Sequence, residues 1–248
     1  MWTFSKLQHL LQISVLLLIH TVGGSKVHLI IPIAQCSTGG SCLTLSMLAA
    51  NTGNYLDSNT TLIFPAGNHI LDSELSVSNI DLLKLSTNDS ANVSIACSGN
   101  ASLKFSNIRQ LQISGLEFIG CSSRVEFLDQ FTLEDSSFHG RNSDGSALEL
   151  TQTNTNIVRS SFTSNTVGTY QRHVGFLETI KINNHQWNIH SYSARVGGAL
   201  VVTSSNLTIS SSHFDSNTAE LGGAIFSCLL YTSPSPRDAT LSRMPSSA

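Results

Sequence analysis

Hydrophobic and polar positions alternate along the chain in a pattern that repeats. Phe118, Phe138, Phe162 and Phe214 each stand five residues after an aliphatic side chain: Ile113, Leu133, Ile157 and Ile209. Two positions earlier come Leu111, Phe131, Thr155 and Leu207, and the residue between is polar every time (Gln112, Thr132, Asn156, Thr208). Such an in–out–in triplet predicts a short strand with one buried face, then a Ser- or Gly-bearing corner and a Phe that points back inside. The phenylalanines lie 20, 24 and 52 residues apart. The long interval divides if Ile180-Lys181-Ile182 is a further triplet and Trp187, five residues after Ile182, takes the Phe position; the spacings become 20, 24, 25 and 27. Val125 and Phe127, Leu148 and Leu150, and Leu200 and Val202 alternate in the same way and supply further strands within each period.

Several strands per 20–27 residues, joined by polar corners, describe an all-β chain wound as a parallel β-helix. A single coil cannot bury its inner face, whereas stacked coils share one core and pair their backbones with one another. Phe118, Phe138, Phe162, Trp187 and Phe214 are then expected to form an internal aromatic stack. A β-sandwich of hairpins fits less well, because Asn-Gly and Asp-Gly turns are nearly missing, Asp144-Gly145 being the exception. After two of the phenylalanines comes an Asn ("FTSN", Asn165; "FDSN", Asn217), with Cys121 in the same slot of the first coil. Asn tolerates left-handed corners and bonds neighbouring backbone, so stacked Asn can brace a turn. "GSAL" at Gly145, "GGAL" at Gly197-Gly198 and "GGAI" at Gly222-Gly223 read as sharp corners; no Lys-Ser/Thr comes after them that would make them phosphate loops.

The FxxN and GGA-aliphatic pair is similar to the repeats of polymorphic outer-membrane adhesins and of other right-handed parallel β-helix repeat proteins, the pectin-lyase-like solenoids. The stretch from Cys42 to Leu71 resembles the N-terminal lead-in of large secreted or cell-surface β-helix proteins of animals. The resemblance implies the fold and a surface or secreted setting, and no particular activity. Within that lead-in, Thr44 is expected to cap a short helix running to about Asn51 and stopped by Gly53, with Leu45, Leu48 and Ala49 on one face. Such a helix would plug the open end of the coils, where strand edges and core are otherwise bare.

The ends change what counts as the folded chain. Residues 1–24, with Lys6, an apolar run from Leu10 to Ile19 and Val22-Gly23-Gly24, read as a secretory signal peptide; His9, Gln12 and His20 break the run too early for a membrane anchor. Residues 228–248 read as translated sequencing-adapter DNA: "CLLYTSPSPRD" and "SRMPSSA" correspond, in order, to its transposase-type and flow-cell ends. The expected organisation is a lead-in with its helix over 25–57, coils over 58–227 continuing beyond Ser227 in the natural chain, and a disordered non-native tail. Residues 25–227 hold ten basic and fifteen acidic side chains without runs, which argues against nucleic acid or an anionic membrane as partner. No membrane span is expected there.

Four cysteines remain, Cys36, Cys42, Cys97 and Cys121, an even number in a secreted chain. Three connectivities are open; proximity favours Cys36–Cys42 and Cys97–Cys121, the latter 24 residues apart, one period. Asn59, Asn88, Asn92, Asn100 and Asn206 each begin a glycosylation sequon. Catalysis on polysaccharide needs two carboxylates flanking one bond. The columns four and three residues before the aromatics (Ser114, Glu134, Val158, Asn183, Ser210; Gly115, Asp135, Arg159, Asn184, Ser211) stack no two acids. Glu134 and Asp135, adjacent in sequence, should face opposite ways as solvated surface. His139, Arg141 and Asp144 read as a polar corner. His185 and His190 lack partners for a metal. Tyr170, Arg172, His173, His190 and Tyr192, in the stretch from Val167 to Arg195, have a composition suited to sugar or protein contacts but read first as irregular corners. No catalytic, cofactor or metal residues are therefore assigned. The expectation is a non-catalytic extracellular or cell-surface module for structural, recognition or adhesion roles, with carbohydrate or an extracellular protein as partner. The alternative is a polysaccharide lyase or hydrolase on the same fold, favoured if outward carboxylates cluster at a groove.

Overall fold

The computed structural model describes residues 25–36, 42–88, 92–143, 145–167, 197–219 and 221–228, together with the backbone of 179–182 and 185–188. Residues 1–24 and 229–248, Asp144 and the side chains Tyr170, Arg172, His173, His190 and Tyr192 lie outside the described residues.

The chain is predominantly β and its sheets are parallel, apart from one separate hairpin. Each pass visits three columns of strands in turn. The first column holds Lys26–Leu29, Asn59–Phe64, Leu82–Thr87, Gln110–Ser114, the second halves of Ser122–Glu134 and Leu148–Val158, and Asn206–Ser210. The second holds Gly67–Leu71, Val93–Cys97, Glu117–Ile119, Ser137–His139, Ser161–Thr163 and His213–Asp215. The third holds Leu75–Ser78, Ser102–Ser106, the first halves of Ser122–Glu134 and Leu148–Val158, Leu200–Thr203 and Ile225–Cys228. Cys228 thus continues a strand, level with Thr203, although its sequence suggested that the foreign tail starts there. Backbone pairing at Cys228 needs only its own amide and carbonyl, whatever the origin of the residue.

Register turns sequence periodicity into ladders. Along the first column Leu62, Leu85, Ile113, Leu133, Ile157 and Ile209 lie level, facing inward. Along the second, His69, Ile95, Phe118, Phe138, Phe162 and Phe214 occupy one slot. The four rings stack nearly parallel, with centroids 4.4, 5.2 and 4.9 Å apart. That spacing matches the distance between neighbouring strands.

The extra coil expected around Trp187 is not formed. Ser161–Thr163 pairs directly with His213–Asp215, and Phe162 stacks on Phe214 with no ring between. Thr179–Ile182 instead pairs antiparallel with His185–Asn188, placing Ile180 opposite Trp187. The two residues between those strands are Asn183-Asn184, the residue type that two-residue hairpin turns select. Among the described residues no second-column strand stands between Ser161–Thr163 and His213–Asp215.

Side chains close each corner. Leu116, Ser136 and Ser160 give their backbone N–H to the hydroxyls of Ser136, Ser160 and Ser212 on the following pass, at 3.3, 3.3 and 3.1 Å. Each hydroxyl in turn donates to a carbonyl two residues back. Asn165 and Asn217 form a second ladder: their Oδ1 atoms accept from the N–H of Arg141 and Asn165, and their Nδ2 atoms donate to the carbonyls of Phe138 and Phe162. The chain bends through residues of positive φ, such as Gly115, Asp135, Arg159 and Ser211 before the second column. The paired glycines have a further role. A Cβ on Gly198 would stand 2.3 Å from the Gly223 carbonyl oxygen, so successive passes touch backbone to backbone there.

Phe127 departs from the expected alternation with buried Val125. It sits at a corner with φ 58°, just before a register shift, and its side chain is 52% exposed. The strand it was expected to continue inward has already turned.

At the N-terminal end Thr44 Oγ1 accepts from the Met47 N–H and starts the helix Leu45–Ala50. Leu45 and Leu48 are buried against the strands Gly67–Leu71 and Leu75–Ser78. Gly53 is not the stop: the helix ends at Asn51, and Gly53 lies within a second helical turn, Thr52–Tyr55. Both cystine bridges are formed. Cys36–Cys42 closes a short loop, and Cys97–Cys121, with Cα atoms 5.0 Å apart, staples two successive passes.

Candidate functional site

The outward positions of the third column carry a run of charge. Lys104, Arg124 and Glu149 lie level on successive strands, because the inward neighbours Phe105, Val125 and Leu150 hold those strands in register. Glu126 comes two residues after Arg124, on the same face. Arg124 is the hub. Its Nε and Nη2 both lie 2.9 Å from Glu149 Oε2, and its Nε is 3.6 Å from Glu126 Oε1. Lys104 Nζ is 3.8 Å from Glu126 Oε2. The Glu149 side chain is only 16% exposed, so this pairing is screened less than an ordinary surface contact.

Lys104, Arg124 and Glu149 floor a groove of about 270 Å³. Its rim includes Glu74, which accepts from Ser102 Oγ at 3.4 Å, and Arg141, whose Nη1 donates to the Gly120 carbonyl at 3.0 Å. Asn100, a sequon residue, and Gly145 complete the rim. A Cβ at Gly145 would lie 3.4 Å from Glu149 Oε1 and 3.6 Å from Ser122 Oγ, ordinary contact distances, so space does not require the glycine there.

Acid–base attack on a glycosidic bond requires two carboxyl groups with the bond between them. The Arg124 guanidinium stands between Glu126 and Glu149, and the two carboxylates that line the groove are Glu74 and Glu149. The arrangement is a fixed pattern of donors and acceptors on a rigid sheet, suited to holding a polar ligand in one orientation.

Other candidates fall elsewhere. His139 leaves Arg141 and bonds Glu117 on the preceding pass, with Nε2 and Oε1 2.9 Å apart. Glu134 and Asp135 do not face opposite ways: both engage Arg159 of the next pass, Asp135 at 2.7 and 2.9 Å. The positive φ of Asp135 breaks the alternation on which the opposite expectation rested. The Arg159 hydrogen bonds hold the Asp135 carboxyl below its ordinary pKa and raise that of the guanidinium. Among the sequon residues Asn88, Asn92, Asn100 and Asn206 are exposed and Asn59 is half-buried. Among the described residues no group of three or more His, Cys, Asp or Glu side chains is placed to hold a metal ion. His185 is described by backbone alone, and His190 lies outside.

The sequence reading missed Lys104, Arg124, Glu126 and Glu149. The signal was present: aligning the buried pairs Leu103/Phe105, Ser123/Val125 and Leu148/Leu150 puts the three charged residues between them at one level. Searches of protein-family models, of curated proteins and of solved structures return no match to this chain.

Proposed function

We propose that the three columns are the faces of a right-handed parallel β-helix, and that the chain is a non-catalytic extracellular or cell-surface module used for recognition or adhesion. Parallel strands of one sheet joined by crossovers are right-handed in nearly all proteins. Two cystine bridges suit an oxidising compartment. The observation that supports the functional reading is the Arg124 guanidinium on Glu149, which occupies one of the two carboxylates, Glu74 and Glu149, that line the groove. The ladders keep outward side chains in fixed register, which limits the entropy lost when a partner docks.

The test is secretion of the chain from cultured cells, then two assays on the purified product. Saturable binding to extracellular matrix or cell surfaces, weakened by Arg124→Ala, supports the reading. Release of new reducing ends or unsaturated sugars from a polysaccharide panel, abolished by Glu149→Gln, would establish the enzyme alternative instead.

A further inference from the structure

Among the described residues the last pass has neighbours on one side only. Asn206–Ser210 pairs with Leu148–Val158 alone, His213–Asp215 with Ser161–Thr163 alone, and Ile225–Cys228 with Leu200–Thr203 alone. Its side chains are more open than their counterparts one pass earlier. Ile157, Phe162 and Asn165 are fully buried, whereas Ile209, Phe214 and Asn217 are half-buried. Leu200 is fully buried, and Ile225 beside it is 37% exposed. The Phe214 ring stacks on Phe162 with one face and finds no described ring against the other.

The earlier passes define what fits such an edge. Ser136, Ser160 and Ser212 each stand two residues before a Phe and accept the corner N–H of the pass before. Asn165 and Asn217 each stand three residues after that Phe. Their Oδ1 accepts a second N–H of the pass before, and their Nδ2 donates to its Phe carbonyl. Ser-x-Phe-x-x-Asn is thus a complete docking set, with a hydroxyl, a ring and an amide for three fixed points. The last pass presents those points again, as the Ser212 N–H, the Phe214 ring and carbonyl, and the Asn217 N–H. Among the described residues no later side chain meets either N–H or that carbonyl. Unpaired strand edges over a bare core accept an added strand.

We propose that this edge binds a strand-forming segment of another polypeptide, bearing Ser-x-Phe-x-x-Asn, as one further parallel pass. Residues 229–248 do not supply the set: they contain neither Phe nor Asn, and Pro234 and Pro236 lack the N–H of a paired strand. A second copy does not match either. Its first strands of the second and third columns, Gly67–Leu71 and Leu75–Ser78, are packed against the helix Leu45–Ala50. Two like ends meeting would run antiparallel, out of step with ladders that need one strand direction. The edge is separate from the charged groove, and its role is independent of the recognition reading above.

The experiment uses the secreted full chain and a labelled synthetic peptide with the sequence of residues 154–167, which holds Ser160, Phe162 and Asn165 at the required spacing. The peptide should bind saturably and slow amide exchange at residues 206–217, with no protection around Arg124. Changes made in the peptide leave the protein intact, so folding defects do not enter. Phe162→Ala in the peptide should weaken binding roughly tenfold or more, the effect of losing an aromatic anchor. Asn165→Ala in the peptide should weaken it roughly fivefold, the effect of lost hydrogen bonds. A peptide of the same composition in scrambled order should not bind, and Arg124→Ala in the protein should leave the affinity unchanged. Absence of binding, affinity retained by the Phe162→Ala peptide, or protection elsewhere overturns the proposal. So does a concentration-dependent dimer that the peptide fails to dissociate, which would assign the edge to a second copy. If the peptide fails while matrix binding still responds to Arg124→Ala, the recognition reading stands and this inference alone falls.

Discussion

The first passes and the last are held together by different means. In residues 59–121 the second-column slot holds His69, Ile95 and Phe118, and adjacent passes are joined covalently by Cys97–Cys121. In residues 130–219 the same slot holds Phe138, Phe162 and Phe214, and the corners are tied by serine and asparagine ladders. One half varies its parts and adds a covalent staple; the other repeats its parts and needs none. Regular stacking and cross-linking serve as alternative answers to one demand, that each pass keep register with the next.

The largest effect should come from the repeated half. Phe138→Ala removes a ring stacked on both sides and should cost about 3–5 kcal/mol in urea denaturation. Ile95→Ala, in the same slot of the varied half, should cost about 2–5 kcal/mol and less than Phe138→Ala. If the order reverses, the aromatic stack adds nothing beyond volume. Replacing Cys97 and Cys121 together by Ser should cost about 3 kcal/mol for a loop of this length. That loss should be recorded by the varied half first, as early amide exchange between residues 93 and 126. Uniform exchange across both halves would show that the staple serves the whole array.

Asn165→Ala comes next, at about 1–3 kcal/mol, because the Arg141 N–H and the Phe138 carbonyl lose a partner in a site from which water is excluded. A melting temperature equal to the wild type would mean that the ladder is decoration.

His69 gives a smaller and pH-dependent effect. It is buried edge-on to Phe64, and burial lowers its pKa below 6.5 despite the hydrogen bond to the Pro65 carbonyl. The unfolded chain therefore takes up a proton at a pH where the folded chain does not, so stability is flat above about 6.5 and declines as pH falls below it. His69→Phe should flatten the melting temperature between pH 7.5 and 5.5; an unaltered slope would place the titration elsewhere. Smallest of all should be Arg159→Ala. Its contacts with Glu134 and Asp135 are exposed, and no change in melting is expected at physiological salt.

The contrast between the halves also explains what could be read from the chain alone. Aromatics at fixed offsets announce the Phe stack and the first-column ladder, and a cysteine spacing of one period announces the staple. His69 and Ile95 hold the same slot without looking like it, because the slot selects for flat or apolar bulk rather than for one residue. Ile180-Lys181-Ile182 imitates a triplet, yet alternation says nothing about strand direction, and this strand pairs antiparallel with His185–Asn188. Phe127 and Asp135 were misplaced for a shared reason: a period of two holds only while the strand continues, and a positive φ ends it. The charged groove was hidden because its inward neighbours, Leu103, Ser123 and Leu148, share no obvious type.

The serine and asparagine ladders also give the chain an arrow of time. In each, a side chain satisfies the backbone of the pass before it and never of the pass after. A pass emerging during synthesis thus waits, partly unsatisfied, until its successor arrives to complete it. The helix at Leu45–Ala50 precedes in the chain the strands Gly67–Leu71 and Leu75–Ser78 that bury it. Folding that follows the order of synthesis would therefore complete each row only when the next one docks on it.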